Sequence, residues 1–162
     1  VAKTIEELLD EAAIKELQVR YCRAADRVDD DALRACFHPD ATADYGEGLW
    51  NLDQYMEHAT GMMAKFISTT HNTGNQLVEV NGDAAWAEHY AVATHRWQES
   101  DGELRDLVAS VRYVDRMERR GGEWRIARRV MVLDWHRIDT IASVSATAAR
   151  GRRDRSDPSY VR

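Results

Sequence analysis

The sequence predicts one α+β domain, with N-terminal helices gathered on one face of a curved antiparallel sheet. Three observations predict it. Up to Phe66, apolar residues recur at the i, i+3, i+4 spacing of amphipathic helices. From Ser68 onward the hydrophobic period becomes two, as in half-buried strands. Three turn signals, Asn81-Gly82-Asp83, Ser100-Asp101-Gly102 and Arg120-Gly121-Gly122, then cut the second part into strand-length pieces. A chain of 162 residues still grows a single core, so one domain is expected.

The first helix opens at Thr4 and Glu7, which have capping-box spacing, and its acidic first turn suits the helix dipole. Its apolar stripe is Ile14, Leu17, Tyr21, Ala24, Ala25 and Val28. Asp29-Asp30-Asp31 offers the cap of a second, short helix carrying Leu33, Cys36 and Phe37, which must end before Pro39. Asn51 or Asp53 caps a third helix with Tyr55, Met56, Ala59, Met62, Met63 and Phe66 on one side. Segment 69–80 is the first strand, and the long strands 84–98, 106–118 and 123–136 follow. The predicted domain is 1–139. Residues 140–162 form an extension whose end, 150–162, holds five Arg against two Asp and reads as a mobile basic tail.

Composition narrows the function classes. With 44% hydrophobic and 31% charged residues the chain is globular rather than disordered. No apolar run is long enough to cross a membrane, and no leader opens the chain, so a cytoplasmic location is expected. Cys22 and Cys36 form no CxxC pair, which argues against a disulfide scaffold or thiolate metal site. The net charge of −6 disfavours nucleic acid as a partner. GxGxxG, GxxxxGK[ST] and GxSxG motifs are missing, so a nucleotide cofactor or a serine nucleophile has no support.

Five motifs recur in a familiar order: a helix with Tyr21 and Asp26, then Phe37-His38-Pro39-Asp40-Ala41, Thr70-His71-Asn72-Thr73-Gly74-Asn75, Arg112-Tyr113-Val114-Asp115-Arg116 and Trp124-Arg125-Ile126-Ala127. Together they resemble the SnoaL-like branch of the NTF2-like superfamily, over residues 5–138. Scytalone dehydratase, bile acid 7α-dehydratase and hexachlorocyclohexane dehydrochlorinase are lyases of that neighbourhood. The resemblance implies an NTF2-like cone, a strongly bent sheet around a pocket closed by the N-terminal helices. The same fold also hosts isomerases, hydrolases, dioxygenase small subunits and non-enzymes.

His71 lies on a strand, with Thr73 and Asn75 on the same face by the period of two. A neutral imidazole there can accept a proton if one ring nitrogen is held by an acceptor. The resemblance supplies Asp26 as that acceptor, because the lyases pair a helix Asp with a strand His at similar separation. Otherwise His71 is an ordinary strand histidine and Asp26 a solvated helix-end carboxylate. Tyr21, about 140° around the helix from Asp26, matches a catalytic Tyr of the bile acid dehydratase type; its plain alternative is core packing. A catalytic Arg falls, by the resemblance, at Arg129, where it would hold an oxyanion or leaving hydroxyl. Arg128 points the other way, and a slip of one residue would exchange the two.

His95 gains standing from a second strand His in the scytalone dehydratase type of site, and it shares a face with His89. No HxH or HExxH pairing occurs and the lyases use no metal, so none is expected. Asn75 is a candidate for holding a substrate oxygen. Tyr113 is a candidate pocket residue, and Asp115 is expected to pair with a strand Arg. Trp50, Tyr55, Met62 and Phe66 either wall a pocket for a flat hydrophobic substrate or simply form core.

The function expected is a cofactor-independent lyase that eliminates water from a small hydrophobic cyclic or aromatic hydroxylated compound. His71, oriented by Asp26, removes the proton; Tyr21 and Arg129 stabilise developing charge. Isomerisation or C–C cleavage needs the same parts. The alternatives are a scaffolding small subunit of an aromatic-ring dioxygenase and a non-catalytic ligand-binding module. A His71–Asp26 contact inside a closed pocket favours the enzyme; a pocket filled with side chains favours the module. Trp86 and Trp97 fall on opposite faces of strand 84–98, so one points outward and a homo-oligomer through the convex sheet face is expected, a trimer before a dimer.

Overall fold

The computed structural model describes residues 2–142 and 151–160. Helix α1 (Ile5–Arg27) begins at the expected capping box, with Glu7 N donating to Thr4 Oγ1 over 3.2 Å and Thr4 N to the Glu7 carboxylate over 2.7 Å. It stops at Val28, whose φ of 52° is left-handed. That conformation costs a β-branched residue roughly 1–2 kcal/mol, and it turns the chain so that α2 (Asp30–Ala35) starts at once with Asp29 as its cap.

Two segments differ from the sequence reading. The short helix ends at Ala35, and Phe37 opens strand β1 (Phe37–Asp44) instead of closing a helix. Pro39 biases the residue before it away from the α region, and Phe37, Ala41 and Ala43 gain burial in the extended chain. Pro39 itself lies between Phe37 and Thr42, where the pairing of β1 is irregular, so its missing N–H interrupts no regular ladder. A short strand β2 (Leu49–Asn51) returns antiparallel to β1 and leads into α3 (Leu52–Met63), capped by Asn51 with Gln54.

Strands β3 (Ser68–Asn81), β4 (Ala84–Gln98), β5 (Leu104–Arg120) and β6 (Glu123–Ile141) form an antiparallel meander. The sheet order is β2-β1-β6-β5-β4-β3, and β1 runs parallel to β6. The sheet is therefore mixed, not purely antiparallel. The architecture is that of an NTF2-like cone: a curved, unclosed sheet with α1, α2 and α3 against its concave side. The inner face of β4 carries Ala85, Ala87, Ala91 and Ala93, with His89 and His95 as the larger residues. Small side chains in the middle of a concave sheet leave volume that the helices do not fill.

Two of the three bulges in the meander decide where the candidate site residues point. In β3, Thr73 pairs with Ala91 but Gln76 with His89, so one residue is extra. Inward parity shifts from Thr73 to Gln76, and Asn75 lies exposed on the outside. In β6, Ile126 pairs with Met117 but Arg128 with Arg116, which makes Ala127 the extra residue. Parity shifts again, so Arg129 is fully buried while Arg128 is exposed.

Residues 151–160 are docked, in contrast to the mobile tail expected; residues 143–150 and 161–162 of that extension lie outside the described residues. Arg153 donates to the carbonyls of Met63 (2.7 Å) and Phe66, satisfying acceptors at the end of α3. The buried Asp157 accepts from Arg152 N and Ser159 N and lies 3.4 Å from Arg27. Tyr160 Oη donates to Asp29 over 2.8 Å. On the convex face Trp86, Tyr90, Val92 and Trp135 are exposed, while Trp97 turns toward Phe66.

Candidate active site

Asp26 stands in the last turn of α1, where the end of the helix brings it against β3. Its Oδ2 accepts from the backbone N–H of His71 over 3.0 Å, and its Oδ1 lies 2.7 Å from His71 Nδ1. The side chains are 12% and 5% exposed, respectively. An ionised carboxylate only accepts, so this contact selects the tautomer of a neutral His71 imidazole with its proton on Nδ1 and the Nε2 lone pair free. The backbone contact fixes the carboxylate, and the carboxylate fixes the ring.

His71 forms part of the wall of a cavity of about 310 Å³ whose other walls are mostly apolar. Tyr55, Met62 and Phe66 line it from α3 and the turn after it, Trp50 from β2, and His95 and Tyr113 from the sheet. These residues, with Tyr21, are brought together around one cavity. Asn75 is not, for the reason given by the β3 bulge. Asp26 does not line this cavity; it backs His71.

Tyr21 sits in a cluster of phenols, its Oη 2.9 Å from that of Tyr45 and 2.8 Å from that of Tyr55. Burial raises the pKa of all three, as it does for Tyr113, so they remain protonated donors at neutral pH. Arg129 lies behind them. It forms a bidentate pair with Asp115, 2.7 Å in both bonds, and both side chains are fully buried. Its guanidinium carbon is 3.9 Å from the ring centroid of Tyr21 and 4.4 Å from that of Tyr113. Burial opposes its charge, but the Asp115 carboxylate outweighs it and the guanidinium stays ionised. Arg129 is thus the inward member of the two, a choice the sequence left open, yet the tyrosine rings take the place next to the cavity. It can polarise the phenols; it is not placed to grip an oxyanion directly.

Two further histidines are buried on β4. His95 stacks on Phe66 at 4.8 Å and meets the His71 ring edge-on at 5.4 Å. Burial pushes its pKa down to about 4, and that of His89 down to about 3. Both are neutral at pH 7. Their linkage has a definite sign: between the ordinary imidazole value of about 6.5 and these lowered values, the unfolded chain binds more protons than the folded one. Stability is therefore retained above about pH 6.5 and falls as the pH drops toward 4. Denaturant midpoints measured across that range should decline steadily in the parent and less steeply in His89→Leu; an unchanged slope would contradict the assignment.

Among the described residues, no cluster of three or more His, Cys, Asp or Glu side chains is arranged to hold a metal ion. Comparison with known proteins then places the chain. The model of the SnoaL-like domain matches residues 6–130. The chain belongs to the SnoaL-like family. No curated protein matches it. Solved structures share the SnoaL-like fold. An aromatic ring hydroxylase assignment from Novosphingobium aromaticivorans superimposes with a TM-score of 0.71 at 25% identity, over 86% of this chain and 96% of its own. A scytalone dehydratase assignment from the same organism gives 0.72 at 20%, over 89% and 97%. The type 3 hexachlorocyclohexane dehydrochlorinase of Novosphingobium barchaimii gives 0.71 at 16%, over 90% and 99%.

Within this SnoaL-like cavity, His58, Tyr45 and Met131 are among the lining residues that the sequence did not single out as site residues. His58 was legible: it falls three residues after Tyr55 and four before Met62 on the α3 stripe, and its ring lies 4.4 Å from that of Trp50. Tyr45 followed a strand that the sequence did not reveal. Met131 depends on the parity shift in β6, which no local signal announces.

Proposed function

We propose that this SnoaL-like protein is a cofactor-independent lyase that eliminates water from a small hydrophobic cyclic or aromatic hydroxylated compound. The observation that carries the reading is the pairing of His71 Nδ1 with Asp26 Oδ1 at 2.7 Å, with the same imidazole on the wall of an open apolar cavity. A scaffolding or purely structural chain needs neither. His71 Nε2 takes a proton from carbon, the C–H electron pair becomes the new double bond, and the C–O bond breaks. Hydroxide leaves and is released as water with that proton. Asp26 stabilises the transient imidazolium, and the Tyr21 cluster, polarised by Arg129 behind it, donates hydrogen bonds to oxygen as charge develops there.

The lyase neighbours support this reaction class by fold. A panel of hydroxylated aromatics and hydroxysteroids should yield compounds that stabilise the protein thermally, and at least one should gain the absorbance of a new conjugated double bond. Ligands that bind without any turnover would favour the ligand-binding module instead.

The reading includes self-association through the convex face, where Trp86, Tyr90, Val92 and Trp135 present an exposed apolar surface. Light scattering at micromolar concentration should give an oligomer, a trimer before a dimer. A monomer would refute that part alone.

A further inference from the structure

A second cavity, of about 690 Å³, is lined by Asp26 and not by His71, whereas the first is lined by His71 and not by Asp26, so the hydrogen-bonded pair stands between them. Its walls differ in kind. Arg27, Arg96, Arg152 and Arg153 line it, together with Ser68, Thr69 and Thr70 of β3. The arginines are not equally engaged. Arg96 is held by Asp106 in two 2.6 Å bonds. Arg27 is also paired: its Nε lies 3.4 Å from Asp157 Oδ1, an ion pair without good hydrogen-bond geometry.

Arg153 gives its two terminal nitrogens to the Met63 and Phe66 carbonyls and forms no ion pair among the described residues, although Asp26 on the same wall favours its charge; its Nε is buried without an acceptor. Arg152 is exposed, and its side chain is in none of the ion pairs among the described residues, Arg27 and Arg155 being the neighbours that pair with Asp157 and Asp29. Asp26, the one carboxylate on the wall, is already committed to His71 through both oxygens. Buried donors left open in a native protein call for an explanation, and a cleft that converges guanidinium and hydroxyl donors with excess positive charge selects an anion with several acceptor oxygens.

We propose that this cleft binds a phosphate-type anionic group. The inference does not rest on the lyase reading, since it requires only the cleft. The group is either a free small anion or a phosphoryl substituent on a molecule that occupies the apolar cavity. Both present the same tetrahedral set of oxygens.

The test uses the full chain at constant ionic strength, with chloride as the control anion. Inorganic phosphate, titrated calorimetrically and in thermal melts, should bind saturably and raise the melting temperature. Arg152→Ala should weaken that binding about tenfold, the loss of one charge-assisted contact, and Arg152→Glu should abolish it. Neither should alter the affinity of the apolar cavity for naphthol, which confirms that the variants are folded. Phenyl phosphate separates the sources. Binding tighter than phosphate, in competition with naphthol, supports a phosphoryl group carried by the cavity's occupant. Binding equal to phosphate, without competition, supports a free anion. A phosphate effect no larger than that of chloride, or parent-level phosphate binding by Arg152→Glu, overturns the proposal.

Discussion

Replacing His71 with Ala is expected to reduce turnover by a factor on the order of 10²–10⁴, the usual contribution of a positioned general base. The loss should appear in kcat, because the apolar walls that hold the substrate remain. The fold should tolerate the change, since the ring borders an open cavity and removing it only enlarges that space. Asp26→Asn removes the charge but keeps an oxygen that can accept from the His71 backbone. It should therefore bind ligand normally and lose rate, because the imidazolium formed during proton transfer has lost its counter-charge. Steady-state kinetics on any compound identified in the panel, with ligand binding measured in parallel, separates the two effects. Parent rates in both variants would remove the dyad and leave His95 with Tyr21 as the next pair to examine.

The second large effect is on stability. Asp115→Ala leaves the Arg129 guanidinium buried without a counter-charge, and both groups are inaccessible in the parent. Breaking one side of such a pair costs roughly 3–5 kcal/mol, so the denaturation midpoint should fall sharply. Removing both charges, as in Asp115→Leu with Arg129→Met, should recover much of that loss, because the desolvation of two ions disappears together. If Asp115→Ala unfolds at the parent midpoint, Arg129 is paired or solvated in another way. The double variant also probes the phenols. With the cation gone from behind Tyr21 and Tyr113, the hydrogen bonds that they offer to a developing oxyanion weaken, and turnover falls even if the fold is sound.

What the sequence made legible was local. The capping box at Thr4, a cap at Asn51 (with Asp53 as the other candidate) and the hairpin turns are set by residues within a few positions of one another, and the structure has them where the pattern put them; the left-handed break at Val28, a residue on the apolar stripe of the first helix, carried no such signal. The contact between Asp26 and His71 spans 45 positions; no periodicity reveals it, and only the family resemblance brought the two residues together. Bulges were beyond reach for a related reason. An extra residue in β3 and another, Ala127, in β6 each reverse the parity of the stretch that follows, which put Asn75 outside and chose Arg129 over Arg128. Strand β1 was obscured because its partner β6 is distant in sequence and parallel, with Pro39 in the break between their paired stretches. The docked C-terminal segment looked like a solvated basic tail because its partners, Asp29, Met63 and Phe66, are far away along the chain.

The central claim is that Asp26 holds His71 in the one tautomer that can act as a base toward the cavity. Long-range ¹H–¹⁵N correlation of the histidine side chains, at neutral pH on the folded protein, tests it without any substrate. The account predicts that His71 shows a protonated Nδ1 and a bare Nε2, with a hydrogen-bonded Nδ1 proton that Asp26→Ala eliminates. A protonated Nε2 in the parent, or a His71 signal indifferent to the loss of the carboxylate, would contradict it.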